Sequence, residues 1–296
     1  VRKEGYTCFF RLRGEIRDQM NNVIKSAMVQ TSVCPSKNDN IEKNVNMIKE
    51  AASLGAQIVC LQELFYTQYF ASEQDPKWLA LAESIPGPTI EIMQDLAVSN
   101  GIVLVVPIME ADKPGVYYNT TVVIDADGQL LGKYRKIHLP HFEGFWEQYY
   151  FKKGDLGYPV FKTAYATIGI MSDYDRLFPE VPRILALKGA QIIYNPCTTV
   201  MDLSRHIWFI TQRGHAISNA VFVGTSNRVG KEPYSPGVYY GMSYFCSPNG
   251  EILIQGSQNQ DEIVIAELDL GLIDREREKW NLLRTRQPDT YEELLK

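Results

Sequence analysis

Twice in this chain a helix-period segment ends in Gly-Ala-Gln-Ile and hands over to a buried strand, at Gly55-Ala56-Gln57-Ile58 and again at Gly189-Ala190-Gln191-Ile192. The echo sits within a longer alternation of strand-length apolar runs and helical segments, which predicts an α/β fold. If the halves are related by a pseudo-two-fold, Glu63 and Cys197, each eight residues after its Gly, occupy corresponding strand ends. Strand ends on one side of a sheet assembly are where α/β proteins bind ligands. The repeat therefore predicts that Glu63 and Cys197 lie close together.

The elements follow from period and punctuation. Val23 to Val29 reads as a strand, Ile41, Val45, Ile48 and Ala52 as one helical face ending at Gly55, and Ile58 to Leu61 as a short buried strand. A helix over Thr89 to Ser99 precedes strands at Ile102 to Pro107 and Tyr118 to Ile124, with Asp127-Gly128 turning into Leu130 to Arg135. The second half gives a strand at Thr167 to Met171, a helix after Pro179, a strand at Ile192 to Tyr194 and one long helix from about Asp202 to Ser218. Strands follow near Ala220 to Ser226, Gly241 to Cys246, Ile252 to Gln255 and Ile263 to Leu268. Residues 1–22 are polar and irregularly charged and suit an arm lying on a neighbouring subunit. Residues 23–270 form the compact domain, and 271–296 a C-terminal extension at an oligomer interface.

Composition narrows the function classes. A formal charge of -5 and no dense basic stretch argue against nucleic acid as a partner. The apolar stretch Ile102 to Met109 is too short to span a bilayer, and Val1 to Gly5 lacks a secretory core, so the expectation is a soluble cytoplasmic protein without membrane contact. Cys8, Cys34, Cys60, Cys197 and Cys246 are odd in number with no CxxC spacing, which suggests reduced thiols rather than disulfides or a zinc site.

Four segments place ionisable residues just after predicted strands: Leu61-Gln62-Glu63-Leu64-Phe65, Tyr134-Arg135-Lys136-Ile137-His138-Leu139-Pro140, Phe145-Trp146-Glu147-Gln148-Tyr149, and Gly169-Ile170-Met171-Ser172-Asp173-Tyr174-Asp175-Arg176-Leu177-Phe178-Pro179-Glu180. Each alone would pass for a solvated loop or half an ion pair. Together they resemble the signature blocks of the nitrilase superfamily of carbon-nitrogen hydrolases. The run from Gln212-Arg213-Gly214-His215-Ala216 to Ser226-Asn227-Arg228-Val229-Gly230 is similar to its amidase branch, and the match extends from about Val23 to the C-terminus. The resemblance implies a four-layer αββα sandwich in a single domain, a Glu-Lys-Cys triad often joined by a second Glu, and no metal or organic cofactor. By motif, Glu63 is the general base, Lys136 the cation that stabilises the tetrahedral oxyanion together with the Tyr174 N–H, and Glu147 the second acid.

The nucleophile block departs from this pattern. Where the family keeps Cys, this chain has Asp173, and Tyr174, Asp175, Phe178, Pro179 and Glu180 hold the register so that no gap recovers a thiol. An aspartate is the weaker nucleophile toward an amide or urea carbon. A third carboxylate beside Glu63 and Glu147 would raise one or more pKa values, with Lys136 opposing. Four readings stand: an inactivating substitution in an intact amidase scaffold, which is preferred; a natural non-hydrolytic relative that binds a ligand or partner; Asp173 acting through a mixed anhydride or as base for water; and rescue by Cys197 or Ser172.

Arg176 follows three residues after Asp173. In the N-carbamoyl-amino-acid branch an Arg at this place clasps the substrate carboxylate through two parallel hydrogen bonds. The bland alternative is a surface Arg paired with Asp175 or Glu180. Asn195 and Cys197, in the loop Asn195-Pro196-Cys197-Thr198-Thr199, are expected to form a pocket wall. Trp146, Tyr149 and Tyr150 would cover the substrate or simply pack. His138, His141 and His215 are given no proton-transfer role. The expectation is an amidohydrolase scaffold for N-carbamoyl amino acids, β-ureidopropionase-like, impaired by Asp173 and assembled as a homodimer or larger homo-oligomer. Carbamoylputrescine-like or ω-amidase specificity and a non-catalytic binding protein are the alternatives.

Overall fold

The computed structural model describes residues 22–296, so the expected N-terminal arm lies outside the described residues apart from Asn22. Twelve strands make up the two large sheets: β1 (Val23–Gln30), β2 (Ile58–Cys60), β3 (Val103–Lys113), β4 (Val116–Ile124), β5 (Leu130–Arg135), β6 (Val160–Lys162), β7 (Thr167–Ile170), β8 (Ile192–Pro196), β9 (Phe222–Ser226), β10 (Tyr244–Cys246), β11 (Ile252–Gln255) and β12 (Glu262–Asp269). Sheet I runs β12-β1-β2-β3-β4-β5 and sheet II β11-β10-β9-β8-β7-β6. In each, three parallel strands at the centre, β1-β2-β3 and β7-β8-β9, are flanked by antiparallel ones.

Strand alternation builds the layers. Ile58 and Cys60 on β2, Val103 and Val105 on β3, and Met28 on β1 point into a core shared with Ile168, Ile192, Tyr194 and Phe222 of sheet II. Their neighbours Val59, Leu104 and Val106 pack the other way, against helices α1 (Lys37–Ser53) and α2 (Pro88–Asn100). Ile193 and Val223 likewise pack with α3 (Glu180–Leu187) and α4 (Trp208–Asn219) on the far side of sheet II. The result is the four-layer αββα sandwich. Gly224 lies where the sheets meet: a Cβ there would stand 2.0 Å from the Met28 Cε and 2.7 Å from the Phe245 ring, and both side chains would have to shift.

The echo is structural as well as textual. Gly55 and Gly189 leave α1 and α3 with φ of 90° and 95°, a conformation glycine adopts without strain. The Ala56 and Ala190 N–H groups then donate back to Ala51 and Leu185, both at 3.0 Å, and the chain enters β2 and β8, the matching central strands of the two sheets. The hairpin turn at Asp127-Gly128 joins β4 to β5, with the Gly128 N–H donating to Asp125 at 2.9 Å.

Two expected elements are shorter than the sequence suggests. The helix expected over Asp202 to Ser218 is broken into a turn at Met201–Ser204 and α4, with i to i−3 bonds between them (Ile207 N–H to Ser204 at 3.1 Å, Trp208 N–H to Arg205 at 3.4 Å); Trp208, at the start of α4, is buried and its indole N–H donates to the Met242 carbonyl at 2.8 Å. The strand expected from Gly241 begins at Tyr244, since Gly241 and Met242 both take positive φ. A last helix, α5 (Gly271–Trp280), buries Ile273 and Glu276, and most residues beyond it are exposed. Among the described residues, no helix is long and apolar enough to cross a membrane.

Candidate active site

Glu63, Lys136 and Asp173 each follow a strand, β2, β5 and β7 respectively, while Glu147 opens the single helical turn Glu147–Tyr150. The sandwich brings all four together in its interior, Asp173 being the most accessible at 8%. Lys136 Nζ donates to Glu63 Oε1 at 2.8 Å and to Glu147 at 2.9–3.0 Å, and stands 3.6 Å from Asp173 Oδ2. Oxygens of the three carboxylates lie within 4.8 Å of one another, a donor set that could suit a metal ion, but the Lys136 ammonium takes the central cation position.

Burial divides these charges unequally. Burial alone would lower the Lys136 pKa, yet Glu147, Glu63 and Asp173 outweigh it and hold the ammonium well above the ordinary lysine value. Glu147 carries the cost of the crowding: burial pushes it up to about 8 against the pull of Lys136, with Glu63 and Asp173 adding to the rise. Asp173 goes the other way, because Arg176 and then Lys136 overcome burial and keep its carboxyl below the usual range. The arrangement therefore favours a charged Lys136 and a charged Asp173 and shifts Glu147 toward its protonated form.

Glu63 is fixed by more than Lys136. Asn119, on β4, donates to Oε1 at 2.8 Å and Ser172 to the same oxygen at 3.3 Å, while the Thr198 hydroxyl donates to Oε2 at 2.8 Å. Thr198 adjoins Cys197, so the two strand ends predicted to be neighbours do meet. Asn119 had no signal in the sequence beyond a place on an apolar strand, and Thr198 was visible only as part of its loop.

Asp173 has φ of +40°, the left-handed region that an aspartate enters at some cost. The tight turn Asp173–Leu177 is pinned from behind by Asp175, fully buried, which accepts from the Tyr134 hydroxyl at 2.6 Å, the Ser172 N–H at 2.8 Å and the His138 N–H at 3.1 Å. The His138 ring also meets Asp175 through Nδ1 at 2.7 Å and stacks on Phe178. His215 bonds the Arg176 carbonyl through Nε2 at 2.8 Å, and burial lowers its pKa. Both histidines thus brace the turn.

Arg176 is 3% exposed, and its partner is neither Asp175 nor Glu180. Its Nη1 donates to Asp173 Oδ1 at 2.6 Å and Nη2 to the Thr199 hydroxyl at 3.3 Å, with Cys197 Sγ 3.8 Å from Nη1. Burial pushes the Cys197 thiol well up, so it stays protonated, which disfavours it as a replacement nucleophile.

A cavity of about 90 Å³ reaches this group, and Asp173, Tyr174 and Arg176 line it. Asn195 and Cys197 are fully buried and do not face it; their loop contributes Thr198 and Thr199 instead. The aromatic wall comes from Phe142, Phe145 and Tyr174 rather than from Trp146, Tyr149 or Tyr150. Tyr150 packs into the core with its hydroxyl donating to the Glu73 carbonyl, and Tyr149 is exposed.

A family model describing carbon-nitrogen hydrolases matches residues 25–278. The chain is 35% identical over 290 residues to an N-carbamoylputrescine amidase of Solanum lycopersicum, covering 94% of this chain and 96% of that relative. It is 32% identical over 305 residues to a beta-ureidopropionase of Arabidopsis thaliana, covering 94% and 75%. The crystal structure of a carbon-nitrogen hydrolase from Helicobacter pylori G27 superposes with a TM-score of 0.87 at 34% identity, covering 93% of this chain and 99% of that one.

Proposed function

Given that the chain belongs to the carbon-nitrogen hydrolase family, we propose that it carries an amidohydrolase site for terminal ureido groups, of the N-carbamoyl-amino-acid type, in which Asp173 occupies the nucleophile position and suppresses turnover. The observation that carries this reading is the convergence of Glu63, Glu147 and residue 173 on the buried Lys136 ammonium. In the parent chemistry a thiol at position 173 attacks the ureido carbon while Glu63 takes its proton. Lys136 and the Tyr174 N–H stabilise the oxyanion, and Glu63 returns the proton to the departing amine. Water then cleaves the acyl-enzyme and restores the thiol, and the carbamic acid released decomposes to the second amine and carbon dioxide, for a net conversion of ureido acid and water to amino acid, ammonia and carbon dioxide. Asp173 is a poor substitute because its charge is already neutralised by Arg176.

Arg176 is the residue we assign to a substrate carboxylate, which favours an anionic ureido acid for the parent site. A carbamoylputrescine-like specificity is the second reading, supported by the relative of that name. We also assign residues 23–270 to the hydrolase domain and 271–296 to an extension that contacts another copy in a homo-oligomer, a reading supported by exposed Trp280, Leu294 and Leu295. A cytoplasmic location accords with the free thiols of Cys34, Cys60, Cys197 and Cys246.

Incubation of the chain and its Asp173→Cys variant with N-carbamoyl-β-alanine, with ammonia as the readout, tests the proposal. Rapid release by the unmodified chain would remove the suppression by Asp173. A folded but inert Asp173→Cys variant would favour a ligand-binding protein on this fold.

A further inference from the structure

We infer that Asp173 also sets the charge of the ligand this pocket accepts: by filling the Arg176 anchor with the chain's own carboxylate, it excludes ureido acids and leaves uncharged ureas as the class the pocket holds. The inference rests on the ureido reading above and concerns the chain as it stands.

Asp173 and Arg176 are the charged residues that line the cavity; its remaining walls are apolar or hydroxylic, including Phe142, Leu203 and Thr199. They form a buried pair, Oδ1 to Nη1 at 2.6 Å, so among the described residues the lining presents no unpaired cation. Lys136 offers no second anchor, since Glu63 and Glu147 already accept from its ammonium. A ligand carboxylate reaching Arg176 would have to displace Asp173 from a largely buried bond or lie beside its negative charge, and both are costly where water screens little.

A neutral residue at 173 would reverse the situation. The cavity lining would then hold a lone guanidinium, and leaving that buried charge unpaired is what a ligand carboxylate relieves. One side chain thus controls two properties: the nucleophile and the sign of the ligand.

The test is isothermal titration calorimetry with two probes of matched length, 3-ureidopropanoate and propylurea, on the full chain, on Asp173→Asn and on Asp173→Ser. Thermal melting verifies that each variant is folded. The unmodified chain is expected to bind propylurea about tenfold or more tightly than 3-ureidopropanoate. Either substitution is expected to raise 3-ureidopropanoate affinity about tenfold while propylurea changes by less than about threefold, and adding Arg176→Gln is expected to abolish the gain. Equal affinity of 3-ureidopropanoate for the unmodified chain and Asp173→Asn would overturn the inference, as would a gain that survives Arg176→Gln. If propylurea binds without any charge discrimination, only this inference falls; if neither probe binds any folded form, the ureido reading falls with it.

Discussion

Gln57 and Gln191, in different sheets, make the same hydrogen bonds to the parallel strand beside them. Gln57 N–H donates to the Lys25 carbonyl at 2.8 Å and its Oε1 accepts from the Lys25 N–H at 3.0 Å; Gln191 does the same with Thr167 at 2.8 and 2.9 Å. Each glutamine acts as an extra rung that closes the ladder at the entry to a central strand. Gln57→Ala and Gln191→Ala are each expected to cost about 1 kcal/mol by stranding one backbone donor at a half-buried site. Because the sites lie in separate sheets, the double variant should lose nearly the sum, measured by urea unfolding.

Asp175 should be the least replaceable residue of the Asp173–Leu177 turn for stability. Its carboxylate serves the Tyr134 hydroxyl, two backbone N–H groups and the His138 ring. Asp175→Ala is expected to destabilise the fold by about 3 kcal/mol or more through unpaired buried donors. Asp175→Asn, which keeps the shape, should lose less. Equal stability of Asp175→Ala and the unmodified chain in chemical denaturation would contradict that role.

Glu147 gives the site a pH signature. Burial raises it from 4.5 to about 8 in the folded chain. Its contribution to stability is therefore complete below about pH 4.5 and is lost as the pH climbs through 8. Within that window the slope is up to about 1.4 kcal/mol per pH unit. Asp173, with its pKa lowered, acts in the opposite sense and only at acid pH. Glu147→Gln should flatten the decline between pH 5 and 8 in a series of denaturation midpoints; a profile parallel to that of the unmodified chain would refute the assignment.

In an Asp173→Cys background Arg176 loses its internal partner. Arg176→Ala there is expected to reduce kcat/KM for a ureido acid by about tenfold or more beyond its effect on a neutral amide. Equal losses for both substrates would remove Arg176 from carboxylate recognition.

The layers were legible because strands buried on both faces read as continuous apolar runs, and the repeated Gly-Ala-Gln-Ile marked two equivalent entries into them. Glu63, Lys136, Glu147 and Asp173 were singled out through motifs that tie a charge to a strand end, and the fold brings them together. What escaped depended on partners distant in sequence. Asn119 looked like any polar residue on β4 until the fold set it against Glu63, and nothing in the periodicity marked the interruption before Trp208. Arg176 seemed free to pair with Asp175 or Glu180, but Asp175 is turned inward to Tyr134 and His138, leaving Asp173 as the carboxylate within reach.

The central claim is that Glu63, Lys136 and the slot at residue 173 act as one hydrolytic unit that lacks its thiol. Ammonia release from N-carbamoyl-β-alanine by Asp173→Cys, with and without Lys136→Met or Glu63→Gln, tests this most directly. The account predicts that Asp173→Cys exceeds the unmodified chain by about 100-fold or more, and that either second substitution, or both together, returns the rate to nearly the same low level. A folded Asp173→Cys variant that stays at the baseline, or one whose activity survives the loss of Lys136 and Glu63, would contradict it.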